Sequence, residues 1–289
     1  METLESIKVQ SYRNIELIVA DDGSEDDTRI KAGRWLEANN TAFSSTTLVR
    51  AARNGGIPAN CNNGLASSKG VYIKFIAADD VLLADCIEAD LRLLGDAAML
   101  CTAMLFKRGD EIIPPPNDKA IASFFSLPDK KLMRRYVRRP IFLNTPSFFF
   151  HRDVLESVGG FDERIRLLED QPIVCKLLAG GHKIQYAGCP TVVYRLGPAS
   201  VTGKRSPAFL DSQFLCYTYY IRPALKWTNL IDLLVIIESS IYFLLERKHL
   251  TASRLYILFM RSRPSRFFLE GDFLHRAFKR LFYAGGQGG

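Results

Sequence analysis

Short apolar runs alternate with amphipathic stretches along the first part of the chain. Ile15–Ala20 and Val71–Ile76 are apolar runs of strand length, and Thr47–Val49 is a shorter one. Runs of this kind are typical of strands buried on both faces of a parallel sheet. Helical stretches separate them, one ending near Asn39 and another covering Ile57–Ser67. The alternation predicts right-handed βαβ units, and so a Rossmann-like α/β fold whose mostly parallel sheet is flanked by helices.

The pattern after the third strand mixes helices with an antiparallel hairpin. Val81–Leu94 is amphipathic and predicts a helix, whereas Met99–Phe106 and Glu111–Ile113 predict a hairpin with Gly109 in its turn. A basic helix, a strand and two further helices follow, as the sequence predicts over 130–139, 147–150, 152–158 and 171–179. The last strands are predicted at Lys183–Tyr186 and Thr191–Tyr194.

The chain from Asp211 onward is helical, apolar and basic. Its most apolar run, Ile231–Leu245, contains Asp232 and Glu238. A helix that spans a membrane needs roughly 20 apolar residues, so this run predicts an interfacial or packing helix. We therefore divide the chain into an α/β domain over 1–207 and a C-terminal helical appendage over 208–289.

The positive charge is concentrated in this appendage. From Phe209 to the end, 11 Lys and Arg stand against 6 Asp and Glu, which gives +5 of the formal net charge of +7. The basic residues interleave with Phe, Tyr, Leu and Ile, which favours a membrane surface over nucleic acid as the partner. Ordinary helix packing is the alternative interpretation.

The cysteines and the first residues bear on the compartment. Six cysteines are scattered, with no CxxC pair and no Cys/His cluster, so neither a zinc site nor a disulfide framework is predicted. The opening residues METLESIKVQSYRN lack the apolar core of a signal peptide. Both features predict a cytoplasmic protein, which the basic helices would hold against the inner face of the cytoplasmic membrane.

Two adjacent carboxylates, Asp79 and Asp80, come directly after the predicted strand Val71–Ile76. Ligands of open α/β sheets bind beyond the carboxyl ends of the strands, and Mg²⁺ is commonly held there by one or two carboxylates plus substrate phosphates. The pair therefore predicts a site for a Mg²⁺ or Mn²⁺ nucleotide complex. The alternative is a helix cap, with one of the two aspartates at the start of Val81–Leu94.

Five segments, in this order, resemble the inverting nucleotide-sugar glycosyltransferases of family 2, which have the GT-A fold. They are ELIVADDGSEDDT, RNGGIPANCNNGLASSKGVYIKFIAADD, NTPSFFFHRDVLESVGGFDE, LLEDQPIVCKLLAGGHKI and VYRLGPASVTG. Together they cover roughly 1–203, so a GT-A-like fold is expected.

The resemblance implies a role for each acidic motif. Asp22 would contact the nucleotide base, Asp80 would bind the metal, and Asp79 would contact the ribose or share the metal. Asp170 would be the catalytic base that takes a proton from the acceptor hydroxyl, with Glu169 positioning or tuning it. Arg53 would lie near the base or the phosphates. Each role has a structural alternative: Glu169 and Asp170 could simply begin a helix, and Arg53 could be a solvated charge on a loop.

The sequence also departs from the family pattern. The family opens with an apolar strand ahead of the helix that Met1–Ser11 resembles, and that strand is absent here. Because it lies in the middle of the family's sheet, its absence predicts two unpaired strand edges and an incomplete base pocket. Cys61 replaces an arginine common in the family, and no histidine stands near Arg195, where some members carry one as a further metal ligand.

These observations predict a metal-assisted transferase that moves a sugar from a nucleotide-diphosphate donor, a UDP-sugar, to a saccharide or lipid-linked acceptor of bacterial surface polysaccharide. One alternative is an inactive remnant that binds a membrane or a partner. The other is a nucleotidyltransferase, which should carry a Gly-rich phosphate loop near its first strand; the retained sequence has none.

Overall fold

The computed structural model describes residues 1–113, 118–141, 143–197 and 206–247. The first half contains α1 (Glu2–Lys8), β1 (Glu16–Asp21), α2 (Thr28–Asn39), β2 (Ser45–Arg50), α3 (Ile57–Ser67), β3 (Tyr72–Lys74), β4 (Val81–Leu82), α4 (Cys86–Leu94), β5 (Met99–Arg108) and β6 (Glu111–Ile113). The second half contains α5 (Asp118–Phe125), α6 (Asp129–Arg138), β7 (Phe148–His151), α7 (Arg152–Ser157), α8 (Asp170–Ala179), β8 (Ile184–Arg195), α9 (Pro207–Cys216) and α10 (Leu230–Arg247).

The strands form two sheets. β1 and β2 pair in parallel, and the larger sheet has the order β3-β7-β5-β8-β4, with β6 added to β5 as the predicted hairpin. In the larger sheet only β5 and β8 run parallel, whereas the other pairings are antiparallel. The predicted α/β class holds, but the prediction of a mostly parallel sheet is wrong. Alternating strands and helices imply parallel pairing only between strands joined by a crossover, and β3 instead pairs with β7, far along the chain.

The third strand is shorter and more exposed than its sequence predicts. β3 covers three residues, not six, and Val71 beside it is 66% exposed. Along the described chain, β1 and β3 each have one edge without a strand partner. β2 and β4 each have such an edge as well, so the two unpaired edges expected beside the family's first strand stay a prediction.

The segment after β3 corrects two further predictions. The sequence predicts a helix over Val81–Leu94, but Val81–Leu82 form a short strand on β8 and the helix begins only at Cys86 with Asp85 as its N-cap residue. The helix-cap interpretation of Asp79 and Asp80 is therefore wrong. Lys183–Tyr186 and Thr191–Tyr194, predicted as two strands, are one long strand with an irregularity opposite Thr102–Met104.

The C-terminal helices pack on the α/β part. The Arg138 guanidinium of α6 lies 2.6 Å from the buried Asp232 carboxylate of α10. α9 contributes Phe209 and Cys216 to a small apolar cluster with Ile165. No helix in the described ranges combines the length and hydropathy that a membrane span requires. The domain boundary at 207/208 stays a prediction, and the predicted helices beyond 247 lie outside the described residues.

Candidate functional site

Three segments meet beyond the carboxyl end of β1. They are the turn that carries Asp22, the loop 53–56 that precedes α3, and the segment 161–169 that precedes α8. The sequence predicts functional residues in all three segments. Their contacts place the predicted donor side and the predicted base side next to each other.

Asp22 holds the glycine loop. The backbone N–H groups of Gly55 and Gly56 donate to the two oxygens of its carboxylate, at 2.8 and 2.9 Å. Gly56 has a φ of 95°, and a Cβ there would lie 2.5 Å from the carbonyl oxygen of Arg166. Only glycine permits both this backbone conformation and this close approach. Asp22 therefore organises the loop, and its predicted contact with a nucleotide base stays a prediction.

Of the neighbouring loop residues, Asn54 is bonded to the protein and Arg53 is exposed to solvent. The Arg166 guanidinium donates to the backbone oxygen and the side-chain oxygen of Asn54, at 3.1 and 3.0 Å, and the Ile57 N–H donates to the Arg166 carbonyl. Arg53 is exposed, and no ion pair or hydrogen bond of its side chain is found in the described part of the chain. Arg53 is thus a cation available to a ligand, or a solvated loop charge.

Cys61 lies between the two acidic motifs. Burial raises the pKa of its thiol, and the negative charges of Glu169 and Asp22 raise it further. These effects mean that the thiol stays neutral and that both carboxylates are near it. The sequence identified Cys61 only as a departure from the family pattern. In the structure, this small neutral side chain lies near the carboxylates of Glu169 and Asp22, with which an arginine at this position could pair.

Glu169 and Asp170 stand together at the start of α8, and both side chains are partly buried. Burial raises the pKa of Glu169. The pKa of Asp170 is raised well above its usual range by burial and by the charge of Glu169. The Gln171 N–H donates to Asp170 Oδ1 at 2.6 Å and favours the charged form. Two interacting carboxyls with raised proton affinity are the groups that proton-transfer chemistry requires.

Asp79 and Asp80 differ in environment. Asp79 is exposed, whereas Asp80 is 1% exposed and accepts a hydrogen bond from the Arg195 N–H at 2.9 Å. Burial raises the pKa of Asp80 to about 7, opposed by the Arg195 hydrogen bond and helped by the Asp79 charge. Asp80 Oδ2 is buried without a hydrogen-bond partner in the described residues. Such an orphaned carboxylate oxygen suits a hard cation, which would replace the missing partner and favour the charged form.

The carboxylates of this region do not form one closed cluster. In the described ranges, no group of three or more His, Cys, Asp or Glu side chains could hold a metal. The turn with Asp79 and Asp80 also makes no hydrogen bond there to Asp22, Glu169 or Asp170. At most two protein carboxylates would thus bind a cation at Asp79–Asp80, and its other ligands would come from phosphate and water.

The segment before α8 is held by α9 and the turn that follows it. Asp162 accepts hydrogen bonds from Arg164 and from the Tyr220 hydroxyl, both at 2.6 Å. These bonds, the Arg164 pair first, lower the pKa of Asp162 to about 2 in spite of partial burial. The Ser212 hydroxyl accepts from the Leu167 N–H. The C-terminal helices therefore support the base side of the site, which the sequence interpretation of an appendage missed.

Asn62 is another site residue that sequence reasoning missed. Its amide exchanges hydrogen bonds with the Phe161 backbone, in both directions at 2.9 Å, and donates to Glu163 at 2.8 Å. It thus ties α3 to the segment that ends in Glu169 and Asp170. The sequence could not indicate this role, because the partners of Asn62 lie 99 and 101 residues farther along the chain.

Comparisons with known proteins give the family and the fold of the chain. Residues 1–159, more than half of the chain, match the family described as "Glycosyl transferase family 2". A glycosyltransferase of Rickettsia typhi is 25% identical over 61% of this chain and 54% of its own length, and EpsH of Bacillus subtilis, also named as a glycosyltransferase, is 22% identical over 88% and 75%. The chain thus spans about half the length of the first of these relatives.

Solved structures of S. aureus TarS share the fold. The TarS 1–349 complex with UDP-GlcNAc superimposes with a TM-score of 0.60 at 16% identity, covering 97% of this chain and 78% of the other. The complex with UDP gives a TM-score of 0.57 over 97% and 77%. These likenesses confirm the expected GT-A-like α/β fold. With more than half of its sequence matching the family and its acidic motifs in the family's order, this chain belongs to glycosyl transferase family 2.

Proposed function

We propose that this protein transfers a sugar from a nucleotide-diphosphate donor, a UDP-sugar, to a saccharide or lipid-linked acceptor in bacterial surface polysaccharide biosynthesis. The observation that carries the proposal is the pairing of Glu169 and Asp170, two partly buried carboxyls, beside the Asp22 loop in a member of glycosyl transferase family 2. The TarS complexes with UDP and UDP-GlcNAc support the choice of donor.

An inverting transfer requires a base. In the proposed reaction Asp170 removes the proton of the acceptor hydroxyl while that oxygen attacks the anomeric carbon and the nucleoside diphosphate leaves. The raised pKa of Asp170 makes its carboxylate a stronger proton acceptor than an ordinary aspartate, as a general base requires. Glu169 raises that affinity further through its own charge.

A divalent cation would stabilise the leaving diphosphate. Asp80 Oδ2, which has no hydrogen-bond partner in the described residues, and the exposed Asp79 would hold Mg²⁺ or Mn²⁺ together with the phosphates. Asp22 and Arg53 remain the proposed contacts to the nucleotide, with Asp22 acting through the loop that it organises.

The first test measures hydrolysis of UDP-GlcNAc in the presence of Mn²⁺. Asp80→Ala is expected to lower the rate by about 100-fold or more, because several kcal/mol of charge stabilisation would be lost with the metal. The matched control is Asp96→Ala, since Asp96 forms only an exposed ion pair with Lys183. Equal rates for Asp80→Ala and wild type would refute the metal assignment, and a wild type that hydrolyses no nucleotide sugar would favour the inactive-remnant alternative.

We also propose that α10 lies on the inner face of the cytoplasmic membrane. Its acidic residues Asp232, Glu238 and Glu246 are buried against the protein, as are Val235, Ile236 and Leu245, whereas four other apolar residues face outward. The exposed apolar side chains, with Trp227 just before the helix, are Leu230, Ile237, Ile241 and Leu244. An outward apolar face in a chain of net charge +7 fits an anionic lipid surface and not nucleic acid.

Sedimentation with vesicles tests this second proposal. Wild type is expected to bind phosphatidylserine vesicles more strongly than phosphatidylcholine vesicles, and high salt should weaken the binding. The double substitution Leu230→Glu with Ile237→Glu should reduce binding by about tenfold or more, because two apolar side chains no longer enter the lipid. Ile30→Glu is the matched control, since Ile30 is an exposed isoleucine on α2. Equal binding by the double variant would contradict the orientation of α10.

A further inference from the structure

The first helix turns a polar face toward the protein interior. Thr3, Ser6 and Gln10 are spaced three and four residues apart, so they share one face of α1 and its C-terminal end. All three are buried, and Gln10 is fully so. Buried faces of surface helices are ordinarily apolar, so three polar residues in a row on such a face need a specific reason.

The reason is the segment 78–87, which includes Asp79 and Asp80. The Thr3 hydroxyl lies 2.7 Å from the carbonyl oxygens of both Ala78 and Asp80, and its one proton is shared between them. The Ser6 hydroxyl accepts from the Leu82 N–H at 3.2 Å.

Gln10 bonds the same segment farther along. Its side-chain amide donates to the Leu83 carbonyl at 2.7 Å, and its side-chain oxygen accepts from the Ile87 N–H at 3.1 Å. The three side chains thus contact backbone groups on both sides of Asp80 and up to the first turn of α4. All of these backbone groups lie between Ala78 and Ile87, in the segment that contains Asp79 and Asp80.

This segment satisfies only part of its own backbone, since the Asp80 N–H donates to the Ala77 carbonyl and the Cys86 N–H to the Leu83 carbonyl. Between β3 and α4, only the two residues of β4 take part in a strand ladder. Buried backbone groups without a partner cost free energy, so the polar face of α1 replaces the hydrogen bonds that a neighbouring strand would provide. The acidic turn therefore takes its position from α1.

A second contact links the same helix to Asp80. The Arg195 N–H donates to Asp80 Oδ1, and the Arg195 guanidinium forms an ion pair with Glu2, the first residue of α1, at 2.5 Å. The main chain of Asp80 is thus held by Thr3, and its side chain is held by a residue paired to Glu2. Both connections run to the first turn of α1.

We propose that Thr3, Ser6 and Gln10 are positioning residues that fix the Asp79–Asp80 turn for a metal-bound nucleoside diphosphate. The inference rests on the proposed function for the identity of the ligand. Thr3 has the most direct role, because its hydroxyl bonds the backbone on each side of Asp79. Loss of that hydroxyl would leave two carbonyl groups free to move the acidic pair.

The experiment compares Thr3→Val, which keeps the shape of the side chain, with Thr3→Ser, which keeps the hydroxyl. Calorimetry measures the binding of UDP with Mn²⁺, and hydrogen exchange measures protection of the backbone over 75–85. Thr3→Val should weaken UDP–Mn²⁺ binding by about 10- to 100-fold, as loss of a supporting contact to a metal ligand does. It should also speed exchange in 75–85, whereas Thr3→Ser should stay close to wild type in both measurements.

Thr102→Val is the matched control. Thr102 is also a buried threonine with two hydrogen bonds, to the Ser147 carbonyl and the Thr191 hydroxyl, and it makes none to 78–87. It should lower thermal stability without changing UDP–Mn²⁺ affinity or exchange in 75–85. If Thr3→Val fails to fold, Ser6→Ala is measured in the same way; it removes the bond from the Leu82 N–H and one bond within α1, to the Thr3 carbonyl.

The two readouts separate this inference from the proposed function. If wild type binds no UDP–Mn²⁺, the assignment of the donor is wrong. The comparison of backbone hydrogen exchange over 75–85 between Thr3→Val and wild type then still shows whether α1 holds the turn in place. If Thr3→Val binds and exchanges like wild type, the positioning role is refuted. The role is also refuted if Thr102→Val weakens binding as much as Thr3→Val, because a general loss of stability would then explain both results.

Discussion

Asp170→Asn is expected to lower sugar transfer by about 10²- to 10⁴-fold, the usual contribution of a general base. The amide keeps the size of the side chain but cannot take the proton of the acceptor hydroxyl. Asp170 sits at the first residue of α8, where burial and Glu169 raise its pKa. The measurement is the initial rate of transfer from UDP-GlcNAc, with the helical content of each variant checked by circular dichroism.

The pH profile gives this prediction a second readout. Because the pKa of Asp170 is raised, the base stays protonated to a higher pH than an ordinary aspartate, and the wild-type rate should rise with pH over a range above the usual titration of aspartate. Asp170→Asn should lose that rise along with most of the rate. Asp211→Asn, an exposed aspartate on α9, is the matched control. An Asp170→Asn rate equal to that of wild type would show that another group removes the proton.

Lys74→Met is expected to lower the free energy of unfolding by about 3–5 kcal/mol, because it leaves a buried carboxylate without its counter-charge. The Lys74 ammonium lies 2.7 Å from Asp90 Oδ2, and both side chains are almost fully buried. Asp90 Oδ1 has no hydrogen-bond partner in the described residues, so Lys74 is the main compensation for this charge. Urea unfolding, followed by tryptophan fluorescence, measures the change.

The matched control is a lysine of an exposed pair. Lys183→Met removes the ion pair with Asp96, whose side chains are 45% and 81% exposed, and should cost about 1 kcal/mol or less. The double substitution Lys74→Met with Asp90→Leu should recover much of the loss, since no charge is then buried. A Lys74→Met variant as stable as wild type would mean that Asp90 takes up a proton in the folded protein.

The secondary structure that sequence could predict depends on local patterns. α3 begins and ends at the predicted residues, and β1 and β2 differ from prediction by one or two residues, because apolar periodicity and glycines determine these elements locally. The β5–β6 hairpin with Gly109 at a φ of 57° follows from the same kind of local pattern.

The predictions that failed concern segments whose structure depends on contacts with residues distant in sequence. Val81 and Leu82 fit a helix by pattern, yet they form a strand because β8 offers an edge at Val192 and Val193. Likewise, the order of the larger sheet depends on β7 entering between β3 and β5. No pattern within the strands themselves encodes those neighbours.

The candidate site shows the same division. The acidic motifs could be located from the sequence, because carboxylates that follow strands or begin helices stand out. Their hydrogen-bond partners could not be predicted. Both oxygens of Asp22 accept hydrogen bonds from the N–H groups of Gly55 and Gly56, and one oxygen of Asp80 accepts from the Arg195 N–H. Those bonds join residues that are distant in sequence, so only the fold reveals them.

The unpaired edges of β1 and β3 have a consequence for the protein in solution. A strand edge with free N–H and C=O groups is a template on which a second chain can add a strand. The apolar Val71, at the end of β3, is mostly exposed and would favour such contact. Self-association through these edges would rise with protein concentration and would compete with folding of the monomer. Dilution therefore favours the isolated chain, and light scattering as a function of concentration measures this self-association.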